Sequence, residues 1–405
     1  MKTILVFAYY SFKDPVFQSA VLPYLNPPAS KSPTFRFILL TWEQQSYSLN
    51  DDEIVSIDSD LKKNNILWYR LKWHSGRFKM IKKIYDFFLA MTFGVYLILK
   101  HKASAIYSEG FPGAILGDFL SRLTKRPHIV HTFEPHAAYM LETGVWANQS
   151  WEYRVLSFLE ISIGKRAYAI ITATEQYKII LQQRGVRSTI FALGSCIDLN
   201  HFKFDKNERL RIRSEQGITD KHIVITYLGK IGGMYMSDEL FEFFSSCQNL
   251  DPDRFVFFVL TGSELKSFEH LIVSNHLNKD RMLIKTLQTH EVPAYLSASD
   301  VGFIAITPVP SKRFCSPIKT GELLACGLPV VIPEGISDDY LGVKENDIGV
   351  VYSREEGVKV AAKKMMEYIE SHDVDTVQVA ARQFAVLNRN VEMGRELLWD
   401  IFERV

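Results

Sequence analysis

The chain has 405 residues, of which 47% are hydrophobic and 23% charged, with a formal net charge of +1. That length suits two α/β domains, each able to bury a core without metal or disulfide support. The balanced charge excludes bulk nucleic-acid binding. The four cysteines (Cys196, Cys247, Cys315, Cys326) show neither zinc-site nor disulfide-framework spacing, which fits a reducing, cytoplasmic compartment.

Met1 to Tyr10 carries one Lys and a short apolar run that passes directly into Ser11-Phe12-Lys13-Asp14-Pro15. With no small-x-small cleavage site, it reads as a buried first strand rather than a signal peptide. Further strands are expected at 35–40, 105–107, 129–130, 168–172 and 189–193, with helices at 78–99, 113–123 and 150–166. Such alternation predicts a parallel sheet covered by helices. The longest apolar run, 87–99, is too short to span a bilayer.

Between 61 and 103 there are ten basic residues (Lys62, Lys63, Arg70, Lys72, Arg77, Lys79, Lys82, Lys83, Lys100, Lys102) and one acid, Asp86. Trp68, Tyr69, Trp73 and Phe78 are interleaved with them. Bases mixed with aromatics suit the surface of an anionic leaflet, so 61–103 is expected to touch the inner face of a membrane peripherally. The plain alternative is a solvated helix face whose aromatics enter the core.

The polar stretch 198–221 marks the boundary, and a second strand–helix series follows. Strands are expected at 223–228, 255–260, 282–284, 301–304 and 329–332, and helices at 237–246, 292–298 and 317–326. The stretches 358–371 and 377–405 are expected as long helices. The domains are therefore placed at 1–203 and 204–383, with a C-terminal helix, 384–405, packing back toward the first.

The most informative segment runs from Ser316 to Val331. Ser316 is a good N-cap, Pro317 fits a first turn, and Gly327 fits a helix stop before a strand. The helix N-terminus suits a phosphate, with Lys319 adding charge in the first turn. Glu322, one turn on, can accept two hydrogen bonds from a vicinal diol such as ribose. An ordinary solvent-facing Lys–Glu pair is the competing reading.

This arrangement resembles the donor-site motif of family 4 glycosyltransferases. Tyr227-Leu228-Gly229-Lys230, Phe258 to Gly262, Glu291 to Val301, Gly194 to Phe202 and Gly349-Val350-Val351 resemble other segments of that family, in the same order. The resemblance covers most of 105–352. It implies the GT-B fold, two Rossmann-like domains facing across a cleft, and transfer from a nucleotide-diphosphate sugar with retention of configuration. It implies donor contacts from Gly229, Lys230, Gly262, Arg313, Ser316, Pro317, Ile318, Lys319, Thr320 and Glu322. The departing diphosphate takes the acceptor proton, and positive charge with N–H donors stabilises it. The acceptor would be a saccharide or a lipid-linked sugar, as in cell-surface polysaccharide synthesis. No cofactor beyond the donor is implied, and with no evident cluster of metal ligands the chemistry is expected to be metal-independent.

In the first domain, His131 and Glu134 follow a strand end that faces the ligand crevice in open α/β sheets. The resemblance makes His131, with Glu134 and Lys319, the catalytic candidates. Lys13 and Glu109 sit on two other strand-end loops; Lys13 reads as a solvent-exposed side chain in preference to a phosphate contact, and Glu109 as an acceptor contact. There are departures from the family. Phe314 stands where many members carry a first Glu, eight positions before Glu322, and Met234-Tyr235 replaces a Lys-Gly. A degenerate binding protein and a nucleotide-sugar epimerase therefore stay open. A nicotinamide dehydrogenase is disfavoured, because Gly229-x-x-Gly232-Gly233 is not G-x-G-x-x-G.

Overall fold

The structure is a computed structural model that describes residues 1–405 apart from Ser75, Asn148, Gln149 and Met234, and apart from the side chains of Lys79 and Met80. Met234, one of the departures above, and the Lys79 side chain thus lie outside the described residues. The chain divides into two compact units, Met1–Gly194 with Val391–Val405, and Ser195–Asn390.

The first unit holds a seven-stranded parallel sheet: β1 (Lys2–Ala8), β2 (Phe35–Glu43), β3 (Ile66–Lys72), β4 (Ala105–Glu109), β5 (His128–Thr132), β6 (Ala169–Thr172) and β7 (Thr189–Ala192). Their order is β3-β2-β1-β4-β5-β6-β7. The strands read as near-continuous apolar runs because helices cover both faces. Residues 4–8 of β1, for instance, are wholly buried. Connections from β1 to β3 run one way along the sheet and those from β3 to β7 the other. Right-handed crossovers then send the two sets of helices to opposite faces. Leu5, Phe7, Ile38, Leu40 and Trp42 pack against the helices Lys79–His101 and Gly110–Thr124. On the other face Trp399 and Phe402, from the helix Val391–Glu403, meet Phe35, Phe37 and Tyr107 edge-on.

The second unit holds a six-stranded parallel sheet: β8 (Ile223–Leu228), β9 (Phe255–Leu260), β10 (Met282–Lys285), β11 (Val301–Phe303), β12 (Val330–Pro333) and β13 (Gly349–Tyr352), in the order β10-β9-β8-β11-β12-β13. Two apolar clusters cover its faces. The strand order reverses between β1 and β4 in the first unit and between β8 and β11 in the second. Ligands of open α/β sheets bind outside the strand C-termini at these switch points.

The end of the chain departs from the single helix expected over 377–405. One helix, Val374–Asn388, stops at Arg389, and another starts at Val391. Asn390 bridges to Ile197, and the Ile197 amide donates to the Arg389 carbonyl at 2.5 Å. This pairing with extended backbone takes Arg389 out of the helix. Residues 384–388 therefore belong to the preceding helix of the second unit. Residues 195–202 also pack there, because Arg382 donates to the carbonyls of Leu199, Phe202 and Ala325.

Candidate functional site

In the second unit β8 ends at Leu228, and Gly229 follows with φ +156°. A side chain at Gly229 would be strained by that backbone and would meet the Tyr227 hydroxyl at 3.1 Å. Tyr227 Oη donates to the Lys230 carbonyl, and the Ile231 amide donates to Ser263 Oγ at 2.9 Å. The loops after β8 and β9 are thus tied together, leaving Lys230 and Gly262 exposed.

Beyond β11 a short 3-10 turn, Pro310–Phe314, exposes Arg313, whose guanidinium lies 5.6 Å from the Phe314 ring centre. The next helix is Ile318–Ala325. It starts one residue later than expected. Pro317, not Ser316, is the N-cap, and no side chain caps the helix. Ser316 Oγ instead accepts from the Ser195 amide at 2.9 Å and from Arg389, while Ser195 Oγ donates to the Ser316 carbonyl at 2.7 Å. Among the described residues no side chain accepts from the first-turn amides at Ile318, Lys319 and Thr320, the condition under which a helix N-terminus suits an anion.

Lys319 is exposed and its Nζ lies 3.0 Å from Glu322 Oε2, whereas Glu322 is only 5% exposed. The two side chains make a Lys–Glu contact one turn apart, but the carboxylate is buried rather than on a solvent face. Thr320 is fully buried, and its hydroxyl has no hydrogen-bond partner among the described residues. Gly321 lets Ile197 pack against the helix, since a Cβ there would fall 2.7 Å from Ile197 Cγ1.

In the first unit the switch point opens into a pocket of about 230 Å³. Tyr9 and Tyr10 line it after β1, Glu109 and Phe111 at the end of β4, and Thr132, Phe133 and Glu134 at the end of β5, with His136 and Tyr139 beyond. Glu134, half-buried, is thus a wall of the pocket. His131 is not among the lining residues. It is 2% exposed and clustered with Tyr107 and Glu109, its Nδ1 3.0 Å from Tyr107 Oη and 3.2 Å from Glu109 Oε1. Tyr107 also donates to Glu109 Oε1. Glu109 is completely buried, and its Oε2 has no partner among the described residues. Burial and the Glu109 carboxylate push the Tyr107 hydroxyl well above its ordinary range. Lys13 pairs with Glu53 at 2.6 Å on the surface.

Sequence reasoning missed Tyr107 and Glu160. Glu160 belongs to the helix Trp151–Arg166 and accepts from the Ala137 amide at 2.9 Å, holding the segment that carries His136. Loss of solvent around it, only partly offset by the Ala137 amide, pushes its carboxyl up to about 7. A lone acid in the apolar run Val155 to Ile163 was the available signal.

Asp-x-Asp triplets do occur in the chain, at 58–60, 251–253 and 373–375. Asp58 and Asp60 pair with Lys62 and Lys63 along one helix, Asp373 caps the helix that follows it, and Asp251 ends another.

No protein-family model matches the chain, and no curated protein matches it in sequence. Among solved structures it is similar to Anabaena HepE in complex with UDP and glucose, at a TM-score of 0.74 and 13% identity over 100% of both chains. It is similar to sucrose-phosphate synthase from Thermosynechococcus elongatus, at 0.75 and 14% identity over 100% of this chain and 99% of that one. WaaG, a glycosyltransferase involved in lipopolysaccharide biosynthesis, matches at 0.66 and 13% identity over 97% of this chain and 99% of that one. These likenesses establish the fold: two Rossmann-like units of the GT-B type, as the sequence implied.

Proposed function

We propose that the chain is a nucleotide-sugar-dependent glycosyltransferase. The observation that carries this reading is the switch point of the second unit. There Gly229 follows a strand, and a helix with no side-chain cap at its N-terminus presents Lys319 beside the buried carboxylate of Glu322. HepE, of the same fold, has been solved with UDP and with UDP-glucose. That supports a nucleoside diphosphate sugar as the ligand class.

In this reading Ile318, Lys319 and Thr320 offer amides to the diphosphate, and Glu322 receives the ribose diol. Lys319, Lys230 and Arg313 supply charge that grows in value as the diphosphate departs. Charge stabilisation on the leaving group, with that group taking the acceptor proton, is the metal-independent retaining route. Gly262 leaves space for the base. Ser316 and Pro317 shape the approach to the helix, with Ser316 held by Arg389 rather than free to bind. The acceptor, a saccharide or a lipid-linked sugar of the kind used in cell-surface polysaccharide synthesis, occupies the pocket of the first unit. Glu134 forms its wall and Glu109 its base, and His131 acts by orienting Glu109.

A thermal-shift screen against UDP, GDP, ADP, CMP, NAD and NADP tests the reading. A ligand selective for the folded state at 100 times its Kd adds about 2.7 kcal/mol. The expected result is stabilisation by one nucleoside diphosphate, lost in Glu322→Ala. Stabilisation by NAD or NADP alone overturns the reading.

A further inference from the structure

The helices Lys79–His101, Gly110–Thr124 and Trp151–Arg166 form one layer on the first unit's sheet, the middle helix in contact with both neighbours. Their outer surface is apolar. Ile84 and Phe88, Phe119 and Leu123, and Trp151 and Phe158 are all exposed, Phe88 to 65% and Phe158 to 71%. On the first helix exposed apolar residues recur at 81, 84, 85, 88, 96 and 99. This spacing draws one stripe along the whole helix, about 35 Å long. A solvent-facing patch of this extent marks a partner or a membrane.

Charge decides which. The three helices contain four acids, and none is exposed. Asp86 is buried against His74, Asp118 is buried against Arg166, Glu160 holds the Ala137 amide, and Glu152 is half-buried. The bases Lys83, Lys100, Arg122 and Arg154 are exposed. Arg122 lies 5.9 Å from the Phe119 ring centre and Lys100 lies 5.2 Å from that of Tyr96, so the charges border the apolar stripe. A second copy packed two-fold on this layer would set bases against bases with no exposed acid to offset them.

We infer that this three-helix layer docks on an anionic phospholipid leaflet, its helices lying in the plane of the interface. No helix among the described residues is long and apolar enough to cross a bilayer. Of the 61–103 stretch expected from sequence, the surface keeps the helix Lys79–His101 and leaves out the residues before it. Trp68 is buried, and Lys62 and Lys63 pair with acids of their own helix, which covers the opposite face of the sheet. Phe111 and Pro112, in the first turn of the middle helix, line the 230 Å³ pocket. The leaflet would thus bring a lipid-linked acceptor to that pocket. This last step rests on the transferase reading, whereas membrane docking does not.

Flotation of the full chain with phosphatidylcholine vesicles, with and without phosphatidylglycerol, tests the inference. Binding is expected only to the mixed vesicles and is expected to weaken with salt. Phe88→Glu with Phe158→Glu should abolish it. Lys100→Glu with Arg122→Glu should weaken it at least about tenfold. Lys62→Glu, on the other face, should leave it intact, and melting curves check that each variant folds. Absence of binding to mixed vesicles overturns the inference, as does equal binding by folded Phe88→Glu/Phe158→Glu. A wild-type dimer that the same variant dissociates would identify a second copy as the occupant and overturn it too.

Discussion

Arg389 donates a hydrogen bond to the side-chain oxygen of Ser316, 73 positions earlier in the chain. The same guanidinium reaches the Ser195 carbonyl at 3.1 Å and the buried carboxylate of Asp339. One cation thereby joins three separate segments of the second unit directly in front of the helix Ile318–Ala325.

Removing that cation is expected to be costly. Arg389→Ala leaves Asp339 buried without its partner, at a cost of about 3–5 kcal/mol. Arg389→Lys should rescue little, because an ammonium cannot span the same fork of acceptors. Denaturant melts read the stability, and nucleotide titration reads the helix position. Both should fall in Arg389→Ala. Destabilisation with unchanged nucleotide affinity would limit the network to a folding role.

Lys319 and Glu322 should separate in kinetics although they touch in the structure. If Glu322 receives the ribose, its contact exists in ground and transition states alike, so Glu322→Ala raises the Kd and KM for donor with a smaller effect on kcat. If Lys319 stabilises the departing diphosphate, Lys319→Ala lowers kcat by about 100-fold or more. Steady-state kinetics with the donor found in the screen decides. Unchanged activity in both variants would remove the site from this helix.

Much of this was legible in the sequence, and most exceptions share a cause. The strands of both sheets apart from β3 could be read because parallel strands buried on two faces are continuous apolar runs, and Gly229 and Gly327 mark where the chain must turn; the edge strand β3, Ile66–Lys72, was missed because only part of it is buried and it carries Arg70 and Lys72. The break at Arg389 could not be read, since the local pattern stays amphipathic and the interruption comes from pairing with Ile197, far away in sequence. Ser316 failed as an N-cap for the same reason: its oxygen is claimed by Ser195 and Arg389, neither of them local. His131 and Glu134 lie three positions apart, yet one is sealed in a cluster and the other lines a pocket. The Tyr107–Glu109–His131 cluster needs two adjacent strands in register, and only the folded sheet supplies it.

Glu109 offers a sharper test of the first unit. Its Oε1 is taken up by Tyr107 and His131 while its buried Oε2 has no partner among the described residues. A hydroxyl donated by the acceptor would satisfy it. Glu109→Gln replaces one oxygen with an amide donor and should raise the acceptor KM about tenfold or more, leaving the donor Kd unchanged. His131→Asn should act in the same direction but more weakly. A loss of donor affinity in Glu109→Gln would contradict the assignment of this pocket to the acceptor.

His128 and Glu160 should oppose each other in the pH dependence of stability. His128, buried and 2.8 Å from Ser108 Oγ, has its imidazole pushed down from the usual 6.5 to about 4 by burial. Between those values only the unfolded chain holds the proton, so this residue makes stability rise with pH. Glu160, raised from 4.5 to about 7, behaves in the opposite sense. Between those values only the folded chain holds the proton, so stability falls as pH rises. Each effect is worth about 3 kcal/mol at its limit, and the two largely cancel between pH 4.5 and 6.5. Glu160→Gln should therefore expose the histidine limb, with stability rising from about pH 4 to 6.5 and then levelling. His128→Gln should expose the glutamate limb, with stability falling from about pH 4.5 to 7. Melting temperature against pH for the three proteins reads both limbs. Profiles for the variants that run parallel to the wild type would show that neither group is held in its uncharged form by the fold.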